Sequence, residues 1–396
     1  MTVMDDDTVL KLERHGFDVA IVDSTFFAKC GYLIPHRLQI PWITHSFAVD
    51  PFAVRVPWLP SFVPNTMATS LSLSDDMTFT ERLKNTVFSL FVSFKTTTCY
   101  MENIEHCVLH EMMSRTVLWL VGVGDILDFP RPMMPNMVSI AGHMAKSSSG
   151  KLPPDIQHFI DGAAKGVILM TFGSLASSMP THTTEKFFSA FRQLDGYRVI
   201  WRLNKKDNVQ LPGNVMTGHW LPQNDILAHS SVKLFITHAG VNGHFEAIYH
   251  GVPMIAFPIF SNHHYYARRV DLKGYGMSMN LHEFTVNELL ENIYKILGDT
   301  SFKKRVTKAS EIFRSQAQSP LEKATFWIEH VCQFGGDHLR SAGDDLPLYS
   351  YLMLDVLAFV LLLLLILVYF LYVIVKFMVN KCRRHKTSCD ASKKNS

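Results

Sequence analysis

Between Trp220 and Tyr266 the chain reads WLPQNDILAHSSVKLFITHAGVNGHFEAIYHGVPMIAFPIFSNHHYY. The pattern predicts a polar loop, a buried strand over Leu234–Thr237 and a glycine-punctuated turn. A short helix, a second strand over Pro253–Pro258 and a further helix start follow. His238, Gly240, Asn242 and Gly243 fall where the first strand gives way to the helix. The first N–H groups of a helix have no intrahelical partner and the macrodipole adds positive potential, so this junction suits a phosphate. Gly240 and Gly243 let the backbone approach such a ligand closely. Glu246, within the first two turns, is placed to accept hydrogen bonds from a ribose. The chemistry implied is nucleotide binding.

Each of these residues has a bland reading on its own: a core tryptophan, a satisfied histidine, a solvated glutamate on a helix face. Their joint spacing is far more specific. Trp220-x-x-Gln223-Asn224-Asp225, Thr237-His238-Ala239-Gly240-x-Asn242-Gly243-x-x-Glu246-Ala247 and His250-Gly251-x-Pro253 together resemble the UDP-glycosyltransferases of the glucuronosyltransferase type. That resemblance implies that Trp220 stacks on uracil and Gln223 reads the base or ribose. It also implies that His238 and Asn242 face the diphosphate and that Glu246 holds ribose hydroxyls. Arg202, at the end of an upstream strand, and Ser174, at a strand-to-helix turn, join the implied donor-binding set. Ser174 has the competing reading of a plain helix N-cap, and the two can coexist.

The elements that must position these residues alternate strand and helix. Gly166–Ser174 reads as a buried strand running into a glycine turn, Glu185–Leu194 as a helix and Arg198–Arg202 as a second strand. This is the pattern of a doubly wound parallel sheet. Upstream, Val9–Glu13 suggests a short helix, Val19–Val22 a strand ending in Asp23, and Pro41–Thr44 the next strand. Asp5 and Asp7 read as a solvated acidic end preceding any folded element. Pro51–Pro64 suits an irregular lid or acceptor-lining loop, and Glu81–Phe94 an amphipathic helix. The proline turns at Pro130–Asn136 and the run Lys146–Lys151 read as linkers, the second a flexible one.

The expected architecture is α/β with a GT-B fold: two Rossmann-like domains facing a cleft, the N-terminal one incomplete, plus a C-terminal transmembrane helix. The boundaries are residues 1–144 for the partial acceptor-binding domain and 145–335 for the donor domain. Residues 336–355 form a juxtamembrane linker, 356–375 the membrane helix and 376–396 a basic cytosolic tail. The resemblance makes Asp23 the aspartate that orients a catalytic histidine and puts that histidine upstream of this chain; His15 matches no motif and is no substitute. The sequence is therefore expected to be truncated, lacking a signal peptide and the first βαβ units. MTVMDDD at the N-terminus has neither the basic nor the apolar region of such a peptide.

Two departures from the vertebrate pattern bear on the sugar. Asn262-His263 stands where Asp-Gln is usual, and Gly122 follows Trp119-Leu120-Val121 where an arginine is a candidate partner for a glucuronate carboxylate. His263, if protonated, would partly compensate. The clustered His244, His263 and His264 have no cysteine or acidic partner at a known ligand spacing, so no metal is expected. No cofactor is expected either, a UDP-sugar being a co-substrate.

At 396 residues with net charge +3 the chain can build two or three domains, and carries no nucleic-acid footprint. Its six cysteines give no disulfide framework, although Cys99 and Cys107 are close in sequence, and Cys382 beside the membrane is a candidate for acylation. Val356–Val375 is 20 apolar residues without a charge. As a helix it spans the ~30 Å hydrocarbon core. Lys376, Lys381, Arg383, Arg384 and Lys386 follow it, placing the tail in the cytosol and the body in the lumen. Lys393-Lys394-Asn395-Ser396 resembles a di-lysine retrieval signal of the endoplasmic reticulum.

The function expected is inverting transfer of a hexose or hexuronic acid, from UDP-glucose or UDP-glucuronate, to a hydroxyl of a small lipophilic acceptor. A non-catalytic UDP-binding membrane subunit in a homo- or hetero-oligomer, or an inactive fragment, remains the alternative.

Overall fold

The computed structural model describes residues 6–24, 29–47, 77–87, 112–124, 126–130, 133–173, 179–203, 210–259, 262–351 and 353–394. Ser174, Asp5, Cys99, Cys107, the stretch Pro51–Pro64, the second half of the helix expected over Glu81–Phe94 and the final Asn395-Ser396 lie outside them. The chain forms two compact units, Met1–Arg340 and Ser341–Ser396.

The first unit is built on two parallel sheets. α1 (Asp6–His15) precedes β1 (Ala20–Asp23), α2 (Leu33–Leu38) and β2 (Trp42–Ser46), and β3 (Leu118–Val121) and β4 (Met137–Ser139) complete a sheet in the order β1-β2-β3-β4. Asp7 lies inside α1, so the acidic end expected to precede all folded structure is partly helical. Residues 79–87 are helical, as the first half of the expected amphipathic stretch.

α3 (Pro154–Asp161), β5 (Gly166–Thr171), α4 (Thr181–Phe191), β6 (Tyr197–Arg202) and β7 (Val215–Gly218) begin the second sheet. α5 (Gln223–Ala228), β8 (Val232–Thr237), α6 (Val241–Tyr249), β9 (Met254–Ala256), α7 (His263–Leu272) and β10 (Gly276–Ser278) complete it. The strand order is β10-β9-β8-β5-β6-β7, with every recorded pairing parallel. Chain order reverses between β5 and β8, and in open α/β sheets the ligand crevice lies outside the strand C-termini at such a switch point.

β5 reads GVILMT and is buried throughout because both faces of the sheet are covered. Its residues alternate between two cores. Val167 and Leu169 pack with Phe235, Phe245 and Tyr265 on one side, whereas Ile168 and Met170 pack with Phe187, Trp201 and Phe257 on the other. α5 occupies part of the stretch expected to be a polar loop. Two of its six residues, Ile226 and Leu227, are buried, too few for a clear helical period.

α8 (Val286–Gly298), α9 (Thr300–Arg314) and α10 (Pro320–Phe334) follow, α8 and α10 each opened by a capping box, Thr285 with Glu288 and Ser319 with Glu322. α10 returns to the first sheet, where Ala324 and Val331 pack with Ile43, Leu118, Leu120, Val138 and Ile140. The run Lys146–Lys151, expected to be flexible, is tied down by side chains at Lys146, Ser148 and Ser149. Asn224 bonds both the N–H and the C=O of Lys146, and Asp225 accepts from the Ser148 hydroxyl and the Ser149 N–H.

In the second unit the long helix α11 (Leu354–Lys394) runs well past Val375, the expected end of the apolar span. Its segment Leu354–Asn380 has a mean hydropathy of 3.2 and buries none of its side chains. It is long and apolar enough to cross a membrane.

Candidate functional site

The switch point gathers most of the residues that the sequence singled out. β5 and β8 end in register at Thr171 and Thr237, and each threonine hydroxyl accepts from the N–H two residues on, of Gly173 and Ala239. These bonds turn both chains away from the sheet at the same level. Ala239 takes a left-handed φ of 61°, which aims His238 back over the junction. An added Cβ on Gly173 or Gly240 would lie 2.9 Å or 2.4 Å from the His238 ring. A Cβ on Gly243 would lie 3.2 Å from Gln223 Nε2. The glycines at 240 and 243 thus clear space for the site's own side chains, besides baring backbone to a ligand.

α6 begins at Gly240 with no side-chain cap, leaving its first N–H groups to face outward. His238 Nδ1 and Asn242 Oδ1 beside it are buried without a hydrogen-bond partner among the described residues. A buried polar atom of this kind is costly unless something binds it. The His238 and His263 rings meet edge to face with centroids 4.6 Å apart. Burial pushes His238 down to about 4, a backbone hydrogen bond with Thr171 opposing. Burial, then the neighbouring His238 and His264, pushes His263 to about 3. Burial thus disfavours the charged form of both rings in the ligand-free site, including the protonated His263 that would partly compensate for a missing cation.

Glu246 and Gln223, the residues expected at a ribose, meet in the structure. The Gln223 amide donates to the Glu246 carboxylate in a short hydrogen bond. Burial raises the Glu246 carboxyl to about 7, the Gln223 hydrogen bond opposing. Trp220 is 74% exposed, and the Arg202 guanidinium sits over its ring at 4.7 Å while Arg202 Nε donates to the His219 carbonyl. An exposed indole next to a polar groove is a ready stacking platform.

Asn262 stands at the N-cap of α7, and the helix is fastened to the first sheet's side of the unit. The Tyr266 hydroxyl donates to the Gly122 carbonyl at 3.2 Å, the Tyr265 hydroxyl donates to Asp128, and fully buried Arg269 lies 3.4 Å from the same carboxylate. Of the three clustered histidines, His244 is fully buried against Phe245 and Tyr266 and lies apart from the His238–His263 contact.

Asp23 ends β1 at the edge of the first sheet, and its partner in register on β2 is His45. Sequence reasoning passed over His45. The available signal was that His45 lies near the end of the strand parallel to the one ending in Asp23, so the two residues stand side by side in register.

The family model "UDP-glucoronosyl and UDP-glucosyl transferase" matches residues 1–389. The chain belongs to that family. It is 32% identical to human "UDP-glucuronosyltransferase 2B17" over 91% of this chain and 69% of that protein. To rat "2-hydroxyacylsphingosine 1-beta-galactosyltransferase" it is 33% identical, over 94% of this chain and 70% of the relative. Among solved structures, a UDP-glucosyltransferase from Polygonum tinctorium superposes with a TM-score of 0.57 at 15% identity, covering 83% of this chain and 78% of that one. The fold of this UDP-glycosyltransferase is therefore GT-B, and the chain is a glycosyltransferase enzyme.

Proposed function

We propose that the chain binds a UDP-sugar at the β5–β8 switch point and transfers its hexose or hexuronic acid, with inversion, to a hydroxyl of a small lipophilic acceptor. The observation that carries this reading is the orphaned pair His238 Nδ1 and Asn242 Oδ1 at the uncapped start of α6, flanked by the Gln223–Glu246 pair. Uracil stacks on Trp220, the ribose hydroxyls bond Glu246 in exchange for Gln223, and the diphosphate meets the α6 N–H groups. Asn262 and His263 at the start of α7 face the sugar. The relatives support either sugar class, one being a glucuronosyltransferase by name and another a galactosyltransferase.

The apolar segment of α11 and the basic residues after it support a single-pass protein of the endoplasmic reticulum with a lumenal body. The test is isothermal titration of the full chain with UDP in EDTA. We expect metal-free binding that weakens at least tenfold in Glu246→Ala; unchanged affinity in that variant removes the ribose assignment.

A further inference from the structure

α10 lies on the first sheet, and the turn after it brings together two histidines eight residues apart in sequence, His330 and His338. Gly335 ends the helix with a left-handed φ of 71°. Gly336 then passes so close to the sheet that an added Cβ would lie 2.5 Å from Val117 Cβ. The short 3-10 turn Asp337–Leu339 is closed by the Leu339 N–H on the Gly336 carbonyl at 3.0 Å, and Leu339 packs against the core that Ala324 and Val331 join. These anchors fix where His338 stands.

His330 is held from its own helix. Its half-buried ring is stacked on Phe326 at 6.0 Å between centroids, meets Trp327 edge to face at 5.4 Å and tilts against Phe334 at 5.1 Å. Its Nε2 lies 2.9 Å from Nε2 of the exposed His338, with ring centroids 5.0 Å apart and planes at 65°. In that state one Nε2–H donates to the other nitrogen. Two imidazole nitrogens converging from separate elements also match the ligands of one ion. A tetrahedral ion about 2.0–2.1 Å from each nitrogen holds the two about 3.3 Å apart. A small rotation of the exposed His338 opens the pair that far. The donating ring then carries its proton on Nδ1 instead, so no proton has to leave.

We propose that His330 and His338 form a two-histidine site for a late first-row divalent ion, Zn²⁺, Ni²⁺ or Cu²⁺, with water in its other positions. Imidazole donors suit these ions, whereas Mg²⁺ and Ca²⁺ prefer oxygen. The ion clips the end of α10 to the turn that follows it and so fixes the last residues of the first unit. The site shares no residue with the switch-point groove, so metal-free binding of UDP there is independent of it.

The experiment uses the full chain without an affinity tag, purified in detergent, stripped of metal with EDTA and dialysed. Zn²⁺ is titrated into wild type, His338→Gln and His330→Gln. The chain carries 19 histidines, so the readout is the difference between proteins. Wild type should bind about one Zn²⁺ more than either variant, and saturating Zn²⁺ should raise its melting temperature more than theirs. Ni²⁺ should act in the same way and Mg²⁺ should not. If His330→Gln, taken out of its aromatic clamp, fails to fold, the exposed His338→Gln carries the comparison alone. Equal Zn²⁺ uptake by wild type and His338→Gln, an equal melting shift, or a response to Mg²⁺ matching that to Zn²⁺ overturns the assignment and leaves the pair as a hydrogen bond only.

Discussion

Gln223 at the start of α5 and Glu246 in α6 are hydrogen-bonded to each other, although both are proposed to serve a nucleotide. The pair satisfies in advance the groups that a ribose would use, at the cost of a carboxylate buried to the point where its pKa rises to about 7. Ribose hydroxyls donate to the ionised form, so binding favours loss of the proton. The sign follows: UDP affinity rises with pH up to about 7 and levels off above it. Below that value it falls by up to about tenfold per pH unit. The phosphate of UDP titrates nearby, so the informative quantity is the difference between wild type and Glu246→Gln. Titrations in buffers of different ionisation enthalpy should show extra proton release at pH 7 in the wild type only. The same proton release in both proteins contradicts the coupling.

At the turn after β8 two neighbouring residues predict opposite outcomes. Ala239 holds φ at 61°, a region costing a non-glycine residue about 1–2 kcal/mol. Ala239→Gly relieves that cost and loses about 0.5–1 kcal/mol of it to unfolded-chain entropy, leaving the melting temperature unchanged or slightly raised. Gly240→Ala places a Cβ 2.4 Å from His238 Nε2, so the ring must move from the diphosphate position. Its UDP affinity should fall by an order of magnitude or more with little loss of stability. Wild-type affinity in Gly240→Ala shows that His238 does not contact the nucleotide.

Arg269 and Asp128 are both fully buried and join α7 to the loop after β3. Asp128 also accepts from the Gly124 and Phe129 N–H groups at 3.0 and 2.9 Å and from Tyr265. Removing one partner strands a buried charge, which typically costs about 3–5 kcal/mol. Asp128→Ala should therefore melt well below wild type, whereas Asp128→Ala combined with Arg269→Met should recover part of the loss. A double variant less stable than the single one shows that Arg269 has other supports.

The centre of the second sheet was legible in the sequence because its inner strands are buried on both faces and read as apolar runs, Gly166–Thr171 above all, whereas the outer strands β7 and β10 are short and half-buried. The strand-to-helix junction proposed for the diphosphate was legible for a different reason: glycines, a histidine and an asparagine at fixed offsets from a strand end can be placed by chain order alone. What escaped depends on contacts between distant segments. Lys146–Gly150 has the composition of a free linker, and only Asn224 and Asp225, 77 or 78 residues away for the bonds to Lys146 and Ser148, reveal its anchoring. The juxtaposition of His45 with Asp23 was invisible because it comes from the register of β2 against β1. The neutrality of His263 likewise comes from burial beside His238, which one-dimensional spacing does not express.

Donor choice follows from that neutrality and from Gly122. A carboxylate-bearing sugar needs a cation or strong donors at its far end. Gly122 supplies no side chain, and an added Cβ there would lie 3.0 Å from Phe47 Cδ1, so the close packing itself favours glycine. Burial and the neighbouring His238 and His264 lower His263 to about 3, which disfavours its charged form. A neutral hexose would lose nothing by either feature, because its hydroxyls could pair with the uncharged Asn262 and His263. We expect UDP-glucose to be used at least as well as UDP-glucuronate, with a ratio of kcat/KM values that stays flat between pH 5.5 and 8. Were a protonated His263 holding the glucuronate carboxylate, the ratio would instead swing toward glucuronate as pH falls. A charge-assisted hydrogen bond of that kind is worth about 1.5–3 kcal/mol, or roughly 10- to 150-fold. The measurement is a side-by-side comparison of the two donors with one phenolic acceptor, in wild type and His263→Ala. A strong preference for UDP-glucuronate that survives His263→Ala sinks the idea and points to a cation elsewhere in the cleft.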